Sequence, residues 1–264
     1  MKYSDINYKY FILYAVIIGI SLLLINYQVF EISEKVITFI AVAVCYLIFY
    51  VQKNHSKKTR VLDLVEYSQK ENYDFVKDPS ASQTDEFRGF KTLAMIMDEN
   101  QESFLNLLIQ KSRHDFNNVT KPKIVTVKKT EKNFDAPDKI FYTQVYHFKT
   151  NKSIPLFYLA DIRYFSYFGR TIAKKLPYKK INIEKYNFPK TRYELYSNDD
   201  SVREFFNKDF IGLLNLGAQK KKRVNIESDG ENIIFYVLNQ RHSAEGINFY
   251  TNLFETLFKA LVKN

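Results

Sequence analysis

Two uncharged apolar runs stand close together at the start of the chain, before a more polar pattern takes over. The first run, Tyr10–Ile25, extends through Asn26–Phe30 to about 20 residues, the length that crosses a hydrocarbon core about 30 Å thick. The second run, Val36–Val51, covers about 24 Å as a helix, so tyrosine and lysine side chains at its ends would have to reach the interface. The pattern predicts a transmembrane hairpin with helices over about residues 10–30 and 35–52.

Charges flanking these runs predict their orientation. The connecting loop carries Glu31 and Glu34 against Lys35, whereas basic residues precede the first run and follow the second. The positive-inside rule therefore predicts a multi-pass protein of the cell (inner) membrane with both termini cytoplasmic. A cleaved signal peptide is the alternative for the first run, but no A-x-A-like site follows it and a second apolar run comes soon after.

The rest of the chain alternates between helical and strand periodicity. Helices are predicted over Ser56–Lys70, Phe87–Ile109, Asp161–Lys175, Asn198–Phe206, Asp209–Leu216 and Ser243–Val262. Strands are predicted over Asn72–Val76, Lys123–Lys129, Ile140–Phe148, Ile154–Leu159, Ile181–Ile183, Arg192–Tyr196, Val224–Glu227 and Asn232–Leu238. Asp229-Gly230, between the last two strands, is the strongest turn signal.

Runs of strands and runs of helices, without regular β-α alternation, indicate an α+β fold. We expect a transmembrane hairpin over residues 1–55, followed by two α+β subdomains over 56–176 and 177–264. The apolar run of the second membrane helix is followed by helical spacing at Val61, Leu64 and Val65, so this helix is expected to continue into the cytosol.

Composition narrows the possible functions. The single cysteine, Cys45, rules out an intrachain disulfide and a cysteine-based zinc site. The net charge is +10, and residues 1–60 hold seven basic and three acidic side chains. The remaining excess of positive charge is spread over some 200 residues, a density that is low for a nucleic-acid-binding protein. Proximity to an anionic membrane surface explains this charge equally well.

Catalytic motifs are missing from the sequence. It contains no phosphate-binding loop, no dinucleotide-binding glycine pattern, no zinc-protease motif and no nucleophile elbow, and it has seven glycines. Of the four histidines, His55 is read as solvated, His147 as a half-buried strand residue and His242 as a residue just before the last helix. His114-Asp115 has the form of a metal-phosphohydrolase dyad, but that chemistry needs several further histidines at suitable spacing, which the sequence lacks. Catalytic residues, cofactor-binding residues and metal ligands are therefore predicted to be absent.

Two basic runs are candidate contacts to anionic lipid headgroups, at about 1 kcal/mol per charge near a bilayer. They comprise Lys53, Lys57, Lys58 and Arg60 after the second apolar run, and Lys220, Lys221, Lys222 and Arg223 between a helix and a strand. A solvated loop is the plainer explanation for the second run. An aromatic segment with Ile162, Phe165, Phe168 and Ile172 at helical spacing is read as core.

Several elements resemble a family of uncharacterised bacterial membrane proteins that carry one or two N-terminal helices before a cytosolic domain of unknown function. The matching elements are Pro155 with Phe157, the short strand Ile181–Ile183, the segment Phe188 to Leu195, and the helix start Asp199 to Phe206. Asn182 stands where that family has an acidic residue. The resemblance implies the membrane-anchored arrangement and brings no activity or ligand with it.

The sequence thus favours a membrane-anchored cytosolic domain that binds, senses or scaffolds without catalysis. Its expected partners are the lipid bilayer, anionic headgroups, and an unidentified membrane protein or a second copy of the chain. Two alternatives stay open: a two-helix membrane effector gated by a small-molecule signal, and an enzyme acting on lipid or nucleotide through a site without a known motif.

Overall fold

The computed structural model describes ten segments of the chain and divides it into two compact units, Met1–Leu62 and Asp63–Asn264. The described residues are 16–17, 19–20, 34–96, 104–111, 121–131, 139–161, 177–182, 193–219, 224–238 and 240–262. The fold class is mixed α+β, with a large antiparallel sheet.

A long helix, α1, spans Glu34–Lys70. The second predicted helix is therefore confirmed as a helix, and so is its continuation to Lys70. The first predicted helix lies outside the described residues except for four helical positions between 16 and 20. Within the part of the chain that is described, no helix combines the length and the apolarity that crossing a membrane requires.

Nine strands form one sheet in the second unit, in the order β1-β2-β3-β4-β9-β8-β5-β7-β6, with every described pair antiparallel. Their bounds are β1 Tyr73–Val76, β2 Phe104–Gln110, β3 Lys123–Glu131, β4 Lys139–Lys149, β5 Phe157–Asp161, β6 Lys179–Ile181, β7 Tyr193–Ser197, β8 Asn225–Ser228 and β9 Asn232–Val237. The subdomain boundary predicted at Pro177 falls within this sheet, since β5 pairs with both β7 and β8.

Both faces of the sheet are covered. Within the described segments, the helices after α1 are α2 Ala81–Arg88, α3 Lys91–Ile96, α4 Val202–Phe205, α5 Lys208–Gln219 and α6 Ala244–Val262. The larger core cluster joins one face to residues of α5 and α6, and the smaller one joins the opposite face to Phe87, Phe90 and Leu93. A sheet covered on both sides has no solvent-facing row along its central strands.

The helix α6 confirms the prediction for Ser243–Val262. Ile247, Tyr250, Phe254, Leu257 and Leu261 recur at intervals of three and four, which places them on one stripe of a helix. All five are buried, and Phe254 stacks on Phe235 of β9 with ring centroids 5.1 Å apart.

The prediction of one helix over Phe87–Ile109 is wrong in its second half. Residues 104–110 form β2, which pairs with β1 and β3. Asn106 takes a left-handed backbone conformation (φ 53°), and the register with β3 shifts between Leu105 and Leu108. By its pattern alone, a short apolar run such as FLNLLIQ fits a buried strand and a helical turn equally well. Here the run is a strand because it pairs with a neighbouring strand on each side.

The hairpin around Asp229-Gly230 is confirmed. Asp229 Oδ1 accepts the backbone N–H groups of Glu231 and Asn232, at 3.1 and 2.7 Å. Gly230 has a φ of 104°, a conformation that favours glycine because it has no Cβ. The turn therefore follows from these residues directly, and it sets the register of β8 against β9.

Other boundaries differ from prediction in smaller ways. The helix predicted over Asn198–Phe206 is limited to Val202–Phe205, and the strand predicted from Ile154 begins at Phe157. Asp161, predicted as a helix start, is the last residue of β5, and the helix predicted after it lies outside the described residues.

Candidate functional site

The segment Ala81–Ile96, here called the cover, holds α2 and α3 against one face of the sheet. Its first helix begins after Ser80, whose backbone N–H donates to the Gln83 side chain at 2.9 Å. Phe87 and Phe90 contribute the buried aromatic rings that face the sheet. Each fully buried ring of this size stabilises by about 2 kcal/mol, so the cover is held mainly by apolar contact.

A buried polar contact lies beneath this cover. Glu227 of β8 is only 2% exposed. Its two carboxylate oxygens accept the backbone N–H of Thr92 at 3.3 and 3.2 Å, and one of them also accepts the Thr92 hydroxyl. The backbone N–H of Lys91 also contributes a hydrogen bond. Glu227 thus satisfies the first N–H groups of α3 from a strand far away in sequence, as a capping side chain does.

Burial raises the pKa of the Glu227 carboxyl to about 7. The hydrogen bonds from Thr92 and Lys91 favour the charged form and lower this pKa, while the nearby Asp229 charge raises it. Loss of hydration outweighs the three donors because a charge in the interior is poorly solvated. Near neutral pH the neutral and charged forms of this carboxyl are therefore both populated.

Two buried tyrosines, Tyr158 of β5 and Tyr236 of β9, share this face with Glu227. Burial raises the pKa of both hydroxyls, and the charge of Glu227 raises them further. Tyr158 stacks on Tyr196 with ring centroids 6.1 Å apart. Both phenols therefore stay neutral, and they surround the carboxylate with groups that carry no compensating charge.

His147 lies under the same cover. The strand register places His147 opposite Ile234, and Ile234 opposite Glu227. The His147 ring contacts Phe87 and Phe90, with centroids 5.3 and 6.1 Å away. Burial lowers the pKa of this histidine. The prediction of a half-buried strand residue is right about the strand and underestimates the burial.

A polar rim borders this buried cluster. Lys91 Nζ lies 4.9 Å from the ring centroid of Tyr178, and Lys180 forms a 2.7 Å ion pair with Glu194. The Tyr196 hydroxyl also donates to Glu194. These side chains are partly or largely exposed, so the rim lies between the protein surface and the buried cluster around Glu227.

A second feature lies between the C-terminal part of α1 and the start of α6. This cavity, of about 290 Å³, is lined by Asp63, Glu66, Tyr67, Lys70, Glu71, Ala244, Glu245 and Asn248. Its lining carries four carboxylates and one ammonium group. Over the described segments, no three His, Cys, Asp or Glu side chains are grouped so that they could hold a metal ion.

The predicted lipid-contact residues fall in two places. Lys53, Lys57, Lys58 and Arg60 belong to α1. Lys220, Lys221, Lys222 and Arg223 lie outside the described residues. His242 precedes α6 as predicted, and Ser243 Oγ accepts the Gly246 N–H at 3.3 Å, which is the contact of an N-cap.

Sequence reasoning missed Glu227 and Thr92. In the run Val224–Glu227, apolar and polar residues alternate, a pattern typical of a strand with one face in water. The cover packs on this face of the sheet and keeps water away from it, so Glu227 is buried. Two sequence features together could have indicated this pairing. One is a carboxylate in an alternating strand, and the other is a helix start elsewhere in the chain that lacks its own capping side chain.

Comparisons with family models, with curated proteins and with solved structures each find no match to this chain.

Proposed function

We propose that this protein is a membrane-anchored, non-enzymatic binding or sensing domain at the cytoplasmic face of the cell membrane. The anchor would be the hairpin of residues 10–30 and 35–52, and the binding domain would be the unit Asp63–Asn264. The bilayer, anionic headgroups and a membrane protein or second copy of the chain are the proposed partners. A tether of this kind raises the effective concentration of the domain toward membrane partners without adding any contact.

The observation that carries the proposal is the exposure of large apolar side chains along the first part of α1. Phe39 is 74% exposed and Tyr46 is 70% exposed. Six further exposed residues accompany them, namely Ile40, Val42, Val44, Leu47, Tyr50 and Val51. Contiguous apolar surface of this kind marks a membrane or protein contact, because water solvates it poorly.

The length of the uncharged run in α1 supports a helix that pairs with a second helix in the bilayer, rather than one that crosses it alone. The uncharged stretch Val36–Val51 is shorter than a full crossing, so its ends need help from Tyr46, Tyr50 and Lys53 at the interface. Ala41 and Cys45 are less exposed than their neighbours and lie one helical turn apart, as expected for a face that packs against another segment.

The acidic cavity bears on the nucleotide-enzyme alternative. Four carboxylates and a single lysine would repel the phosphates of a nucleotide, since like charges within a few ångströms oppose binding. This supports the binding proposal over a nucleotide-processing site at that position. A basic or cationic partner group is the chemistry that such a lining favours.

The anchor is tested by placing charges within the apolar run of the full chain. Val42→Lys combined with Leu47→Lys puts two ammonium groups at exposed positions of the run, at a cost of about 3 kcal/mol each inside a bilayer. The matched control, Leu62→Lys with Leu156→Lys, adds the same charge at exposed apolar positions outside the run.

We expect the wild type and the control to stay in the membrane fraction after alkaline carbonate washing and to keep the unit Asp63–Asn264 protected from protease added to right-side-out vesicles. The run variant keeps the first apolar run and should also stay in the membrane fraction, but without a returning second helix its unit Asp63–Asn264 should be cut by the added protease. Release of the wild type, or protection of this unit in the run variant, would contradict membrane insertion of the run.

A further inference from the structure

The cover is attached to the sheet by apolar contacts, by a partly exposed ion pair between Glu86 and Lys123 of β3 at 2.6 Å, and by a buried polar contact. Apolar contacts come from Phe87, Phe90 and Leu93, all fully buried. The buried polar contact is the one between Thr92 and Glu227. Apolar packing does not depend on pH, whereas the hydrogen bond of Thr92 is accepted by a carboxyl group that gains or loses a proton.

The surroundings of Glu227 decide which protonation state the closed cover prefers. Its described neighbours are Lys91 and Thr92 of the cover, Tyr158 of β5, Tyr236 of β9, Tyr178 ahead of β6, and Asp229 of the β8–β9 turn. The Lys91 ammonium group lies over the Tyr178 ring and contributes its backbone N–H, not its charge, to Glu227. Asp229 adds a like charge. The closed site therefore favours the neutral carboxyl.

We propose that the cover is a proton-controlled lid, seated on the sheet while Glu227 holds its proton and loosened when Glu227 releases that proton to solvent. Opening removes Thr92 and the aromatic rings from above the carboxylate and returns it to water. What opening uncovers is an aromatic face of the sheet that includes Tyr158 and Tyr236. This inference does not depend on the membrane anchor.

The sign of the effect follows from proton linkage. The pKa of Glu227 is about 7 in the closed state and returns toward 4.5 when water reaches the group. A group whose pKa is higher when closed binds its proton more tightly there, so a rise in pH favours opening. Between pH 5 and pH 8 the contribution of Glu227 raises the opening constant on the order of 50-fold.

His147 opposes this effect under the same cover. Burial lowers its pKa, so opening lets it bind a proton, and a fall in pH below about 6.5 also favours opening. The two contributions oppose each other in the wild type over the mildly acidic range. The contribution of Glu227 is therefore measured as a ratio between two proteins that both retain His147.

The test is hydrogen exchange of the full chain, comparing the wild type with Glu227→Gln in the same buffer. Glutamine keeps the size of the side chain and an oxygen that accepts the Thr92 N–H, but it does not ionise. We expect the ratio of opening constants, wild type over variant, for amides of Lys91–Ile96 to rise on the order of 50-fold from pH 5 to pH 8. Intrinsic exchange rates cancel in this ratio.

Three comparisons make the result specific. Amides of α6 report global unfolding, which also returns Glu227 to water and should show the same pH-dependent ratio, so the lid is distinguished by an opening constant of the cover at least tenfold larger than that of α6 at each pH. Glu194→Gln removes a carboxylate of the same region that is ion-paired to Lys180, and it should leave the exchange of the cover unchanged. Thr92→Val keeps the packing but loses the hydroxyl, and it should raise opening most above pH 7, where Glu227 is charged.

A ratio that stays within twofold across this pH range overturns the lid. So does an opening constant of the cover that is no larger than that of α6, because the cover would then open only with global unfolding. If Glu227→Gln does not fold, the Thr92→Val protein decides the question, since a pH-independent effect of that substitution contradicts the proposal as well.

Discussion

The Tyr146 hydroxyl lies 2.7 Å from Nδ1 of His242, and the His242 ring stacks on Tyr250 with ring centroids 4.2 Å apart. Tyr146 is fully buried in the middle of β4, and His242 directly precedes the final helix. This pair therefore fixes the entry of α6 onto the sheet. Burial also raises the pKa of the Tyr146 hydroxyl well above its usual value, so the phenol keeps its proton.

Tyr146→Phe should destabilise the protein, because it removes one partner of a buried hydrogen bond. Leaving a buried polar group without its partner costs about 1–3 kcal/mol. Urea unfolding followed by circular dichroism measures the change. Tyr178→Phe serves as the control, since that half-buried tyrosine should shift stability by about 0.5 kcal/mol or less. Equal effects of both substitutions would contradict a structural role for the Tyr146 hydroxyl.

The packing of α6 allows a matched comparison on a single helix. Phe254 is completely buried against Phe235 and Tyr146, whereas Phe249 is 38% exposed. Phe254→Ala should cost about 3–5 kcal/mol of unfolding free energy, because it leaves a cavity in the core. Phe249→Ala should cost clearly less, since water already reaches that ring. The same urea titration measures both, and comparable losses would mean that α6 packs through a different face.

Sequence reasoning succeeded where the determinants are local. The Asp229-Gly230 turn follows from one side chain and one glycine, and the α6 stripe follows from helical spacing. It failed for Phe104–Gln110, because only pairing with β1 and β3 distinguishes a strand from a helix there.

The Glu227–Thr92 contact shows a second limit of sequence reasoning. The two residues are 135 positions apart, so no local pattern connects them. The alternation in β8 predicts a solvent-facing carboxylate, and only the packing of the cover turns it into a buried one. The sequence therefore does not reveal that distant segments pack together and bury this carboxyl group. The same burial gives the group its unusually high proton affinity.

Glu227 should also make global stability depend on pH. Its pKa is raised from 4.5 to about 7 in the folded protein, so its favourable contribution is complete below pH 4.5 and is lost as pH rises to about 7. The loss is on the order of 3 kcal/mol, from the difference between the two pKa values. Glu227→Gln should therefore flatten the stability curve between pH 5 and pH 8, as measured by urea unfolding at each pH. Parallel curves for the two proteins would contradict this.

Cys45 offers a direct test of the membrane proposal, because it is the chain's single cysteine and lies within the uncharged run. If residues 35–52 are embedded, a membrane-impermeant maleimide should leave Cys45 unmodified in opened membrane vesicles and label it only after detergent denaturation. The reagent does not enter hydrocarbon, so embedding suppresses the reaction.

The control moves the thiol along the same helix, as Leu62→Cys in a Cys45→Ala background, where the exposed position 62 should be labelled at once. Sidedness follows from Ser33→Cys and Ser56→Cys in that background. Before the vesicles are opened, right-side-out vesicles should be labelled at position 33 alone and inverted ones at position 56 alone. Rapid labelling of Cys45 without detergent would refute embedding, while the opposite sidedness would retain the anchor and reverse its orientation.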